Sequence, residues 1–278
     1  MNSTKIRLLL WSGCLGAAVL FAGDMLYYGR WGSARGLPDD VWNSIMAGVP
    51  VWRHHLGSLT GPVGGGLGLL GVVGLWCCCR RAAPRLAAAM LAFLFVDCVF
   101  AVLQHGIYGP MGFALRYCGA GSEAVVQITR LESMLLLVMK YSYYAGVATW
   151  IFLALWKKAG VPRWTVLFCP ALITGRLESL VVHVPAPLGF PLYGGWGNIV
   201  EMIWFAVLAV AYKDAQKRGR NESKKNATSL MVGCDGAVYR RHGRVPPHCR
   251  RSPRGAWNGA SMDAEHGRSH RSSRRGRP

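Results

Sequence analysis

Apolar positions in this chain come in long runs separated by short polar segments. A helix needs about 20 apolar residues to cross a bilayer. Six runs meet that length or approach it, over roughly residues 6–28, 56–79, 86–108, 130–156, 162–184 and 196–212. The pattern predicts an all-α fold, a polytopic bundle of six transmembrane helices over residues 1–212. A different kind of sequence follows over 213–278. The first run resembles a secretory leader in position, but it lacks a clear small-residue cleavage site and five more runs follow it. It is read as a retained helix.

Basic residues between the runs set an orientation. Lys5 and Arg7 precede the first run, Arg80, Arg81 and Arg85 join the second to the third, and Lys157, Lys158 and Arg163 join the fourth to the fifth. Lys213, Lys217, Arg218 and Arg220 follow the sixth. With six spans these segments share one side, and the excess of Lys and Arg there predicts that both termini are cytoplasmic. The opposite loops hold Arg30, Arg35, Arg53 and Arg116, offset by Asp39, Asp40 and Glu123. The expected location is an integral, multi-pass position in the cell membrane.

Composition sharpens the picture. Hydrophobic residues are 52% and charged residues 16% of the 278, well below the roughly 25% charged share of a soluble domain. The segment 213–278 carries 17 Lys+Arg and 5 Asp+Glu, leaving 15 and 8 for the first 212 residues. The tail is rich in Arg, Ser, Gly and Pro and is expected to be disordered. Its charge suits anionic lipid at the cytoplasmic face, and no specific nucleic-acid partner is expected. The nine cysteines show no zinc or disulfide spacing.

The few charges inside the apolar runs are the candidate chemistry. Lys140 stands within "LVMKYSYYAG", ten residues into the fourth run, and Asp97 stands eleven before the end of the third. On antiparallel neighbours these are similar depths. Each alone costs about 2.5–3.5 kcal/mol at a helix centre, so an Asp97–Lys140 ion pair is expected, with Tyr144 one turn further along. Its role is either to fix helix register or to line a cavity. A second group lies toward the outer ends: Asp24, Gln104, His105, Glu132, Arg176, Glu178, Asn198 and Glu201. A polar cavity open to the outside, for a small molecule or a lipid, explains their recurrence on five helices. The tetrapeptide "RLES" occurs at 130–133 and 176–179.

A metal site built from Asp24, His105, Glu132, His183 and Glu201 is a further option, but no H-E-x-x-H or H-x-x-x-H spacing occurs in the runs and no nucleophile elbow is present. Neither a cofactor nor a resident metal is expected, and the balance lies against an enzyme. The second run holds Gly57, Gly61, Gly64, Gly65 and Gly68 at G-x-x-x-G steps. Such a face lets a neighbouring helix approach closely, within the chain or in a homo-oligomer. In the first loop, apolar spacing over 41–49 after Pro38-Asp39-Asp40 predicts a short helix that lies on the surface or caps the cavity.

Two strings, "FAGDMLYYG" at the end of the first run and "PLYGGWGNIVEMIWF" opening the last, resemble an uncharacterised family of mostly bacterial multi-pass membrane proteins with a GDxLxYG-type motif. The resemblance spans about the first 212 residues. It implies about six spanning helices, no established activity, and motif positions at Asp24 and Glu201. Three roles then remain: binding or transport through an outer-facing cavity, a structural or assembly role without a ligand, and an intramembrane metal-dependent enzyme.

Overall fold

A computed structural model describes residues 2–37, 41–156 and 159–212. Pro38, Asp39, Asp40, Lys157, Lys158 and the basic segment 213–278 lie outside the described residues, and with them the expected disorder of the tail. The described residues are helical and contain no strand. The elements are α1 (Ser3–Tyr27), α2 (Val41–Gly48), α3 (Val51–Cys79), α4 (Pro84–Cys118), α5 (Glu123–Trp156), a 3₁₀ turn (Arg163–Phe168), α6 (Pro170–Val181), α7 (Gly189–Gly194) and α8 (Trp196–Tyr212).

Four of these, α1, α3, α4 and α5, are long and apolar enough to cross a membrane. Their surface agrees with that reading. Large apolar side chains face outward: Leu8 on α1 is 64% exposed, Leu59 on α3 63% and Met134 on α5 66%. A water-soluble bundle hides such residues, whereas this one buries polar groups such as Asp24, Gln104 and His105 and shows many of its leucines and phenylalanines to its surroundings.

The fifth run does not form one continuous helix. Pro170 disfavours helical geometry at the residue before it, and Cys169 is extended with ψ 125°. The run therefore divides into the 3₁₀ turn and the 12-residue α6. Helices α4 and α5 extend past the expected runs, to Cys118 and back to Glu123, because helix geometry continues where hydropathy stops.

Glycine sets the tightest contacts. Helices α1 and α3 lie antiparallel, and a Cβ on Gly71 would fall 2.5 Å from the Gly13 Cα. On Gly64 it would meet the Gly16 carbonyl at 3.0 Å, and on Gly57 the Tyr27 ring at 2.8 Å. Gly61 and Gly65 turn the other way, toward His105 and Val102 of α4. Gly68 lies against Gly16, whose own Cβ would sit 2.6 Å from the Gly68 nitrogen. Glycine on two sides of α3 thus lets α1 and α4 both press against it and gain dispersion contacts.

One end of the bundle, the base, holds the start of α1 and the α3–α4 turn. Its core joins Leu10, Leu75, Met90, Trp150, Leu153 and Leu208 from five helices, with Cys77, Cys78 and Cys79 among them. Trp150 and Trp204 meet edge to face at 5.0 Å, closing α5 onto α8. At the opposite end the Arg53 guanidinium donates to the Met25, Leu26 and Gly29 carbonyls at 2.6, 2.7 and 3.1 Å. These include orphan carbonyls of the α1 C-terminus. The expected loop helix is α2. His54 fastens it, with Nε2 3.0 Å from the Met46 carbonyl and its ring fully buried.

Candidate functional site

Above the packed base the helices part around a cavity of about 930 Å³. Every long helix contributes to its wall, and so do α6 and α8. Trp42 of α2 also reaches the wall, its ring against Tyr28 at 4.9 Å and Phe190 at 5.0 Å. The short loop helix therefore covers part of the cavity.

A polar network crosses the cavity at the end away from the base. Asp24 is buried in the last turn of α1. Its Oδ2 accepts from Asn198 Nδ2 of α8 at 2.6 Å, and its Oδ1 stands 3.8 Å from His105 Nε2 of α4. The second distance is too long for a hydrogen bond. Tyr27 beside it donates to the His105 carbonyl at 2.6 Å, tying α1 to the middle of α4. Gln104 Nε2 donates to Glu132 Oε1 at 3.2 Å and to Tyr108 Oη at 3.0 Å, and Tyr108 Oη reaches the same Glu132 oxygen at 3.5 Å. The i, i+4 spacing of Gln104 and Tyr108 lets both meet one carboxylate across the α4–α5 seam.

Deeper toward the base, Asp97 of α4 and Glu201 of α8 line the cavity with Tyr143 and Lys140 of α5. Asp97 and Lys140 share the wall but form no ion pair within 4.0 Å among the described residues. The reason is register. Leu94 fills the space at Gly146, and Tyr108 meets Glu132. Both contacts fix the same antiparallel alignment, which sets Asp97 opposite Tyr143 and Lys140 opposite Phe100. Counting residues from the ends of the apolar runs misjudges that alignment by about one turn, roughly 4.5 Å along the axis. Lys140 is exposed while Asp97 is half-buried.

Of the other candidate lining residues, Asp24, Gln104, His105, Glu132, Tyr144, Glu178, Asn198 and Glu201 all stand on the cavity wall. Arg176 does not, and it is exposed. Ala171, Thr174 and Glu178 form the inward stripe of α6, and Arg176 falls two residues from Thr174 and Glu178, about 200° around the helix. The two "RLES" glutamates, Glu132 and Glu178, both line the cavity, from α5 and α6. His183 lies beyond the end of α6 and is exposed. Among the described residues no three His, Cys, Asp or Glu side chains gather into a metal-holding group, so the metal-dependent reading has no ligand set there.

The residues that sequence reasoning passed over are mostly aromatic. Tyr108, Trp42, Tyr143, Trp204 and Phe205 all line the cavity. The i+4 position of Tyr108 after Gln104 is a usable signal. Trp42 belongs to the loop helix expected to lie on the surface or cap the cavity, whereas for Trp204 the sequence offers no signal, because interfacial aromatics look the same whether they face lipid or a pocket.

Long apolar helices around a polar interior define the class: a helical membrane protein. The chain belongs to the Family of unknown function (DUF6796), which matches residues 1–215. No curated protein matches the chain, and no solved structure does.

Proposed function

We propose that this protein is a six-span membrane protein that binds a small molecule or a lipid in the cavity enclosed by its helices, with transport as the natural extension of binding. The observation that carries the reading is the cavity wall. It combines an apolar and aromatic lining with carboxylates, an amine and two amides at bilayer depth. Ionisable groups inside a membrane are costly and typically face substrates, ions or water, and pockets of about 300–1,000 Å³ with a few polar groups are the usual form of a ligand site.

Two further helical segments support six crossings. The 6-residue 3₁₀ turn and the 12-residue α6 measure about 12 and 18 Å at roughly 2.0 and 1.5 Å per residue, which laid end to end would match a hydrocarbon core. Helix α8 adds about 25 Å by the same rise. With six crossings, the Lys and Arg distribution favours cytoplasmic termini, a cell-membrane location, and a cavity facing outward beneath α2. The basic segment 213–278 then meets anionic lipid on the inner face. A purely structural role predicts paired, dry charges and a glycine face free for a partner. On α3, Gly57, Gly64, Gly71 and Gly74 are instead occupied by α1 and Gly61 and Gly65 by α4, while Gly68 lines the cavity.

The reading is tested by native mass spectrometry of the full chain released gently from its membrane. A co-purifying compound is expected, and it should be displaced when the cavity is filled by Ala101→Trp. A protein that carries no compound in either form overturns the reading.

A further inference from the structure

We propose that the cavity selects an organic cation with an apolar body, admitted sideways from the bilayer between α5 and α6. This rests on the binding role above and names the ligand class.

Charge points the way. Asp24, Asp97, Glu132, Glu178 and Glu201 line the cavity against one lysine, Lys140, and one histidine. Asp24 and Glu132 are already held by Asn198, Gln104 and Tyr108. Asp97 and Glu201 receive no hydrogen bond and no ion pair from any described residue. A carboxylate withdrawn from bulk water without a partner is expensive, and a cation lodged between these two supplies the missing partner.

A second observation points to a ligand independently. Trp204 stands on the same wall at 2% exposure, and its Nε1 has no hydrogen-bond partner. Buried polar groups are nearly always satisfied, and His105 Nδ1 on the same wall is likewise without a partner among the described residues. The neighbouring faces of Tyr143, Trp204 and Phe205 suit the polarised C–H groups around an organic cation. A volume of about 930 Å³ exceeds what a bare inorganic ion fills.

The route follows from exposure. Lys140, Tyr144, Gly175 and Glu178 line the cavity and are also exposed, and they sit on the facing sides of α5 and α6. Between α1 and α3 the glycine contacts leave no such opening. Lys140 is the one lysine or arginine among the described wall residues, which makes it the discriminating residue.

The test uses the full-length protein in nanodiscs with two probes of matched size and opposite charge, radiolabelled tetraphenylphosphonium and tetraphenylborate. Saturable binding of the cation, at least about tenfold tighter than the anion, is expected. The double variant Asp97→Asn with Glu201→Gln should lose about tenfold or more in cation affinity, and Lys140→Ala should bind the cation as well as the wild type or better. Preference for tetraphenylborate, or loss of cation binding in Lys140→Ala, overturns the proposal. The wild-type comparison stands even where a variant fails to fold. If neither probe saturates while a co-purified neutral or anionic compound occupies the cavity, the charge selectivity fails and the binding role survives. If nothing binds and nothing co-purifies, both fail.

Discussion

The base and the cavity are built from the same helices to opposite rules. At the base, side chains from five helices interlock around Trp150 and Leu208, both 0% exposed. A few ångströms further along the same α4, α5 and α8, the helices separate around Asp97 and Glu201, which have no partner among the described residues. The base can afford no gap, since interiors pack at crystal density and respond to a single methylene. The upper half leaves a gap and fills its wall with groups that lipid would reject. Stability is concentrated in one half so that the other can carry polar surface that adds little to folding.

Substitutions that invade the base or its helix contacts should have the largest effects. Gly71→Leu drives a side chain into the Gly13 backbone, with a Cβ already 2.5 Å from its Cα. Backbone cannot yield as a flexible side chain does, so the expected cost is about 3 kcal/mol or more. Loss of monodisperse protein on size-exclusion chromatography checks it. Trp150→Ala removes the ring that closes α5 onto α8 and should cost about 3–5 kcal/mol, read by equilibrium unfolding in mixed micelles. Equal tolerance of Trp150→Ala and a cavity substitution would erase the contrast between the halves.

Changes in the cavity network should be milder. Asp24→Ala removes the acceptor for Asn198 and should cost about 1 kcal/mol, in the range of interhelical bonds within membranes. A double-mutant cycle with Asn198→Ala isolates the coupling, and a value near zero would detach α8 from the network. Asp97→Asn should leave stability within about 0.5 kcal/mol or raise it slightly, because no described partner is lost and a desolvated charge is removed. Smallest of all, Met134→Leu on the exposed face of α5 should change the unfolding free energy by less than about 0.5 kcal/mol.

The long helices were legible because apolar runs longer than a bilayer have few alternative explanations. The break at Cys169 was also written in the sequence, as Pro170, but the hydropathy of the run masks it. Asp24, Gln104, Glu132 and Glu201 stood out as polar residues where lipid penalises them. Their mutual distances did not, because depth along a helix says nothing of azimuth, and a one-turn shift in register moved Lys140 off Asp97. Arg176 failed for the same reason, on the wrong side of α6. Trp204 was invisible as a wall residue, since an aromatic ring suits lipid, interface and pocket alike.

Water access to the cavity tests the central claim most directly. Single cysteines at Ala101, on the cavity wall, and at Ala209, fully buried in the base, would be placed in a background with the native cysteines replaced by alanine. Each would be reacted in nanodiscs with a charged, water-soluble thiosulfonate. The account predicts rapid labelling at position 101 and none at 209. Equal protection of both positions would mean that the upper half is as solid as the base, and that the cavity does not exist in the membrane.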